Sequence, residues 1–261
     1  MKKEFLSFIS IFILILTSLT GCGTASVITP PSTNREGEVQ MTDYNLTEKE
    51  KELLRTSFGD DRIGEEILYD QHITALKQLR AVESYLNEKY TGISFSLLSF
   101  SPATRLTEKG ECRFQWEGDT VYRATVKPDN GSYACADDFY GVLLRERYDA
   151  AVRSLLQESN IDCIPYTEFP VPYGMELNGN ISVDTLNSLT PKVTRNTRLY
   201  VPAYEKVEGI EATLQALLTE SGFYGSYTVF FVPDYEGADL AALETGRTEY
   251  ERLSFNCFDV A

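Results

Sequence analysis

The stretch VYRATVKPDNGSYACA, residues 121–136, decides the fold. Two runs with apolar residues at alternating positions, Val121–Val126 and Ser132–Ala136, flank Pro128-Asp129-Asn130-Gly131. Proline presets one turn dihedral, and Asn-Gly supplies the positive φ angles that a tight hairpin needs. The spacing predicts two antiparallel strands. Upstream, Cys112–Trp116 (CRFQW) alternates too, and Glu117-Gly118-Asp119-Thr120 joins it to the hairpin as a second tight turn. Ile93–Phe100 (ISFSLLSF) reads as an earlier strand, which completes an antiparallel meander.

Helical patterns flank the meander. Thr47 and Glu50 form a capping box, and a short helix with Leu53 and Leu54 ends near Gly59. Ile63, Ile67, Ile73, Leu76, Leu79, Val82 and Leu86 keep helical spacing and predict a long helix over 62–89. After the meander, Asp137 or Asp138 is placed to cap a helix over 139–159. In the second half, 164–169 reads as a strand that Pro165, Pro170 and Pro172 either confine to an edge or break. A short helix capped by Ser182, strands at 198–202 and 227–232, helices at 208–221 and 237–245, and a last strand at 253–260 follow. The expected class is α+β, an antiparallel meander packed by amphipathic helices. It forms one core or two α+β halves that meet near residues 160–180.

The first residues carry an address. Lys2 and Lys3 precede an uncharged apolar run from Phe5 to Leu19, short of the roughly 20 residues that span a bilayer. Leu19-Thr20-Gly21-Cys22 then resembles the lipobox of bacterial lipoproteins. The resemblance implies a signal peptide over 1–21 and lipidation of Cys22 as the mature N-terminus. It places the protein on the extracytoplasmic face of the cell membrane, held by acyl chains such as palmitate. Residues 22–46, with Pro30-Pro31 and no periodicity, read as a flexible tether, and 47–261 as the exported domain.

The formal charge is −15, and loss of Lys2, Lys3 and Glu4 takes it to −16. Such a surface repels nucleic acid, so no nucleic-acid partner is expected. Cys112, Cys135, Cys163 and Cys257 could pair in an exported protein. Cys112 and Cys135 flank a middle strand, too far apart to bridge. Cys163 and Cys257 are the better pair, and four buried free thiols are the other reading.

Motifs for chemistry are sparse. The single histidine, His72, sits beside Asp70 and Gln71 and reads as part of a solvated helix face. Phosphate-binding glycine loops, nucleophile elbows and metal-ligand spacings are absent from the sequence, so no cofactor or metal is expected. The acidic clusters Asp60-Asp61 with Glu65-Glu66, Asp137-Asp138, and Asp234/Glu236/Asp239 read as helix-terminal charge and caps. Tyr166, Tyr173, Tyr200, Tyr204 and Tyr235 gather in proline-bearing segments and are the candidate ligand-binding residues. These features point to a non-enzymatic binding or accessory lipoprotein of the envelope. Its partner would be a protein, peptide or glycan, besides the membrane lipid that holds Cys22. A carboxylate-dependent cell-wall hydrolase and a structural spacer are the alternatives.

Overall fold

A computed structural model describes residues 44–189 and 192–258. The signal segment, Cys22 and residues 23–43 of the expected tether lie outside the described residues, as do 259–261, which include the end of the strand expected over 253–260. The described residues form an α+β fold of two four-stranded sheets and six α-helices. None of these helices is long and apolar enough to cross a membrane.

The meander is present. Strands β1 (Ser96–Ser101), β2 (Gly110–Gln115), β3 (Val121–Asp129) and β4 (Ser132–Asp137) pair antiparallel in that order. The hairpin turn is tighter than expected. Pro128 faces Tyr133 and Asp129 faces Ser132, so the loop is Asn130-Gly131 alone, with φ of 45° and 84°. Two positive φ values define the turn whose twist matches paired strands. Pro128 is tolerated within β3 because the β2 pairing stops at Val126, so no ladder bond is lost on that side.

Helices α1 (Glu48–Phe58) and α2 (Asp70–Lys89) cover the inner face of this sheet. The capping box of Thr47 and Glu50 forms, and Gly59 closes α1 at φ 67°. Two expectations need correction. Residues 62–69 are not helical, because Gly64 at φ 81° turns the chain so that Ile63 and Ile67 bridge each other. Their four-residue spacing mimics a helix while serving a turn. Residues 44–46, expected as part of the tether, belong to the folded part, since Tyr44 and Leu46 pack on the core and Arg80 holds the Asn45 carbonyl at 2.8 Å.

Helix α3 (Tyr140–Glu158) leads to the second sheet, β5 (Ile164–Glu168), β6 (Asn196–Pro202), β7 (Gly225–Val232) and β8 (Glu251–Cys257). The strand with Pro165 is the edge strand β5, as expected. The β6–β7 pair is parallel, connected through α5 (Ile210–Glu220), and its two neighbours are antiparallel. Alternation divides the strands cleanly. Leu199, Val201, Tyr227, Val229, Phe231 and Phe255 belong to the main core, while Tyr200, Phe230 and Val232 meet Leu243 of α6 (Leu240–Gly246) on the other face. The short helix α4 (Val183–Ser188) is capped by Ser182 and packs on α3.

The main core is one cluster from Leu53 to Cys257, and it runs through Ile161, Cys163, Phe169 and Leu177. The two sheets therefore share one core across residues 160–180. Cys112, Cys135, Cys163 and Cys257 are free thiols. One strand separates Cys112 from Cys135, as their partners Ala124 and Val126 on β3 show.

Candidate functional site

The outer face of the meander carries the charge pattern that stands out. Period-two alternation puts Glu111, Arg113, Arg123, Thr125, Lys127, Ala134 and Ala136 on the side away from α2. A groove of about 470 Å3 lies there, lined by Lys109, Glu111, Arg123, Thr125, Lys127, Ala134 and Ala136 on the sheet and by Val171 and Pro172 opposite. Three cations and one carboxylate line it, in a chain of formal charge −15. Arg113 and Arg123 are directly opposed across β2 and β3, a like-charge pairing that costs stability. Glu111 accepts from Arg113 at 3.2 Å, which offsets part of that cost.

The wall of the groove is the Pro-Tyr segment after β5, and the carbonyls of Pro170, Val171 and Tyr173 each have a fixed partner. Arg123 Nη2 donates to Pro170 O at 3.0 Å, and Tyr140 Oη donates to Val171 O at 3.0 Å. Lys89 Nζ donates to Tyr173 O at 3.0 Å. Tyr173 also exchanges both backbone hydrogen bonds with Asp137 at the end of β4. Arg123 Nε is buried and finds no acceptor among the described residues. Asp138 accepts the Arg123 backbone N–H at 2.8 Å, and burial raises its carboxyl above the usual carboxylate range.

Beneath the wall lies a sealed ionic cluster. Lys89 and Asp137 pair at 2.7 Å with both side chains 0% exposed. Asp137 Oδ2 also accepts from Tyr85 Oη at 2.6 Å, and Oδ1 from Tyr90 Oη at 2.7 Å and the Phe139 N–H at 2.8 Å. Desolvation lowers the Lys89 ammonium, against the opposing pull of Asp137, and raises both phenols. The N-cap of α3 is Phe139, and Asp137, two residues before it, accepts the Phe139 and Tyr140 N–H groups while neutralising a buried cation. The cluster positions the groove wall and is closed to ligand.

The tyrosine candidates do not form one surface. Tyr200 is 0% exposed, which corrects its expected exposure; it stacks on Phe230 and donates to Glu244 beneath α6. Tyr235 packs half-buried against the same cluster. Tyr166 lies on β5 with the guanidinium groups of Arg145 and Arg198 against its ring, at 4.6 and 5.2 Å. Tyr204 is 75% exposed in a 3-10 turn after β6. Tyr173 turns its ring onto Tyr140, so it supports the groove wall instead of presenting itself to solvent.

His72 is also corrected. It is 2% exposed, packed edge-on to Phe58 at 4.7 Å, and its Nδ1 accepts the Tyr69 N–H at the start of α2. Burial pushes the imidazole below its ordinary 6.5, and Asp60 pulls weakly the other way. Between the two values the unfolded chain binds the extra proton, so stability is full above about pH 6.5 and falls as pH drops through the folded value. Denaturant unfolding at pH 7.5 and pH 5.0 is expected to show this loss. The loss shrinks in His72→Asn, whose amide oxygen still accepts the Tyr69 N–H.

A second groove of about 570 Å3 lies on the inner side of β4, lined by Ser84, Tyr85, Glu88, Tyr133, Cys135, Met175 and Glu176 among others. Glu88 and Glu176 are both exposed at its border. Burial raises the Cys135 thiol to about 11, so it is not a thiolate at neutral pH. Among the described residues no group of three or more His, Cys, Asp or Glu side chains is placed to hold a metal. Chemically, the outer groove is suited to holding negative charge. The signal for it was present as alternation in β2 and β3, masked by the acidity of the whole chain. Comparison of the chain with protein-family models, with curated proteins and with solved structures finds no match.

Proposed function

We propose that the chain is a lipid-anchored binding protein on the extracytoplasmic face of a bacterial membrane, and that its outer groove on the meander holds an anionic ligand. One observation carries the binding reading. Lys109, Arg123 and Lys127 converge on one groove in a chain of charge −15, and the Arg123 Nε there is buried without an acceptor among the described residues. The lipobox resemblance of Leu19-Thr20-Gly21-Cys22 supports the location. Each buried methylene of an acyl chain contributes about 0.8 kcal/mol, so two or three chains hold the protein stably at the bilayer.

The test has two arms. Titration calorimetry with polyglutamate at low salt is expected to show binding that weakens with added salt, as ion pairing requires. Lys109→Gln with Lys127→Gln is expected to reduce affinity about tenfold, at up to roughly 1 kcal/mol per exposed ion pair. Equal affinity in the double variant would remove the groove from the proposal. In cells fed labelled palmitate, Cys22→Ser is expected to abolish incorporation, and retained label would refute the anchor.

A further inference from the structure

We propose that the free edge of β4 takes up an extended acidic peptide as a fifth strand of the meander. The inference deepens the anion-binding reading of the outer groove and rests on it.

Backbone accounting isolates the edge. Buried or edge N–H and C=O groups need partners, and in a paired strand they alternate between its two sides. The two-residue turn makes Asp129 and Ser132 the closing hydrogen-bonded pair, so Ser132, Ala134 and Ala136 direct their backbone groups toward β3. Tyr133, Cys135 and Asp137 direct theirs outward. Asp137 confirms the phase, because its outward N–H and C=O both bond Tyr173, at 3.0 and 2.8 Å. That contact is a single bridge, after which residues 174–176 leave β4 and border the inner groove. The outward groups of Tyr133 and Cys135 have no partner among the described residues.

The other three sheet edges are treated differently. Ser57 donates to Phe100 O on β1. Arg145 donates to Thr167 O on β5, and Asp149 accepts its N–H. Gln215 donates to Asn256 O on β8. Edge strands are ordinarily guarded by such contacts, or by lysine, proline or a bulge. β4, with the sequence SYACAD, has none of these along Tyr133–Cys135, and its small Ala134 and Ala136 leave room beside it.

The two grooves on either side of β4 then choose the occupant. An added strand lies about 4.8 Å from β4 and points successive side chains to opposite faces. Those on the outer face meet Lys109, Arg123 and Lys127. Those on the inner face meet Tyr85, Tyr133 and Met175, with Glu88 and Glu176 at the border. Acidic residues suit the first face and are repelled from the second, where uncharged apolar residues fit. A peptide that alternates acidic and apolar residues satisfies both faces and extends the line that Tyr173 begins. Main-chain bonds would supply affinity and the alternate side chains specificity, as in other cases of strand addition.

The test uses the full chain in detergent with a capped synthetic heptapeptide that alternates glutamate and valine. Residue-resolved amide exchange by NMR is expected to slow at least tenfold at Tyr133 and Cys135 in the complex, with little change at Ala134. The same peptide N-methylated at alternate amides is expected to lose binding, and a version with lysine for glutamate to bind at least tenfold more weakly. If the glutamate peptide binds but Tyr133 and Cys135 stay unprotected, and N-methylation has no effect, strand addition is wrong while the anionic groove survives. If neither this peptide nor polyglutamate binds, the groove reading falls as well.

Discussion

Lys89→Met is expected to destabilise the protein by about 3–5 kcal/mol, the range for removing one partner of a buried ion pair. The Lys89 ammonium has three donors, and all three are used, on Asp137 Oδ2, Tyr85 Oη and Tyr173 O. Methionine fills the space but leaves the Asp137 carboxylate without its cation, at 0% exposure. The remaining bonds to Asp137, from Tyr85, Tyr90 and Phe139, soften the loss without neutralising the charge. Guanidinium unfolding should show the change in midpoint, and the melting temperature should fall by roughly 10 °C for a chain of this size. Adding Asp137→Asn to Lys89→Met should recover part of the loss, because the amide oxygen can still accept the Phe139 N–H and no buried charge is left. A double variant no more stable than Lys89→Met alone would show that the pair is not coupled. The same substitution should weaken polyglutamate binding, since the Tyr173 carbonyl that fixes the groove wall loses its ammonium partner.

Phe139→Ala is the second large effect, again about 3–5 kcal/mol. Phe139 is 0% exposed at the junction of β4 and α3. Its ring meets those of Tyr90, Phe95, Trp116 and Tyr122 at 5.0–5.4 Å, and Phe114 at 6.3 Å. Most are edge-on contacts, the arrangement that aromatic quadrupoles favour. Truncation removes the centre of this group and leaves a void that the surrounding rings, themselves on or next to α2 and the first three strands, can only partly close. Chemical denaturation measures the loss, and the emission of the single tryptophan, Trp116, should change in the folded state too. Phe258→Ala serves as the control. That ring is 68% exposed, and its loss should cost less than about 0.5 kcal/mol.

These two residues show where sequence reading stops. Local chemistry was legible. The capping box of Thr47 and Glu50, the stop at Gly59 and the Asn130-Gly131 turn each depend on residues within a few positions, and each is found in place. Features made by distant segments were not. Asp137 meets Lys89 across 48 positions of chain, and neither residue signals the other. Tyr200 looked available on a proline-flanked strand because its cover, Leu243 of α6, comes from 43 residues further on. The first part of the helix expected over 62–89 failed for a different reason, since Ile63 and Ile67 satisfy helical spacing and a closed turn equally well. The groove lay between these cases. Its cations follow the strand alternation, but the wall of Val171 and Pro172 that makes it concave is brought there by tertiary contacts.

The bridge between Asp137 and Tyr173 also sets an order of assembly. The four strands of the meander are joined by short connections and can pair as soon as they are made, with little entropy lost to loop closure. Lys89 cannot be fully satisfied at that stage, because one of its three acceptors belongs to Tyr173, 84 positions away. Until that carbonyl arrives, the ammonium in a nearly finished sheet is one acceptor short. The last step in sealing the first sheet is then the docking of the Pro-Tyr segment from the second half, which makes the buried ion pair a checkpoint on completion of the chain.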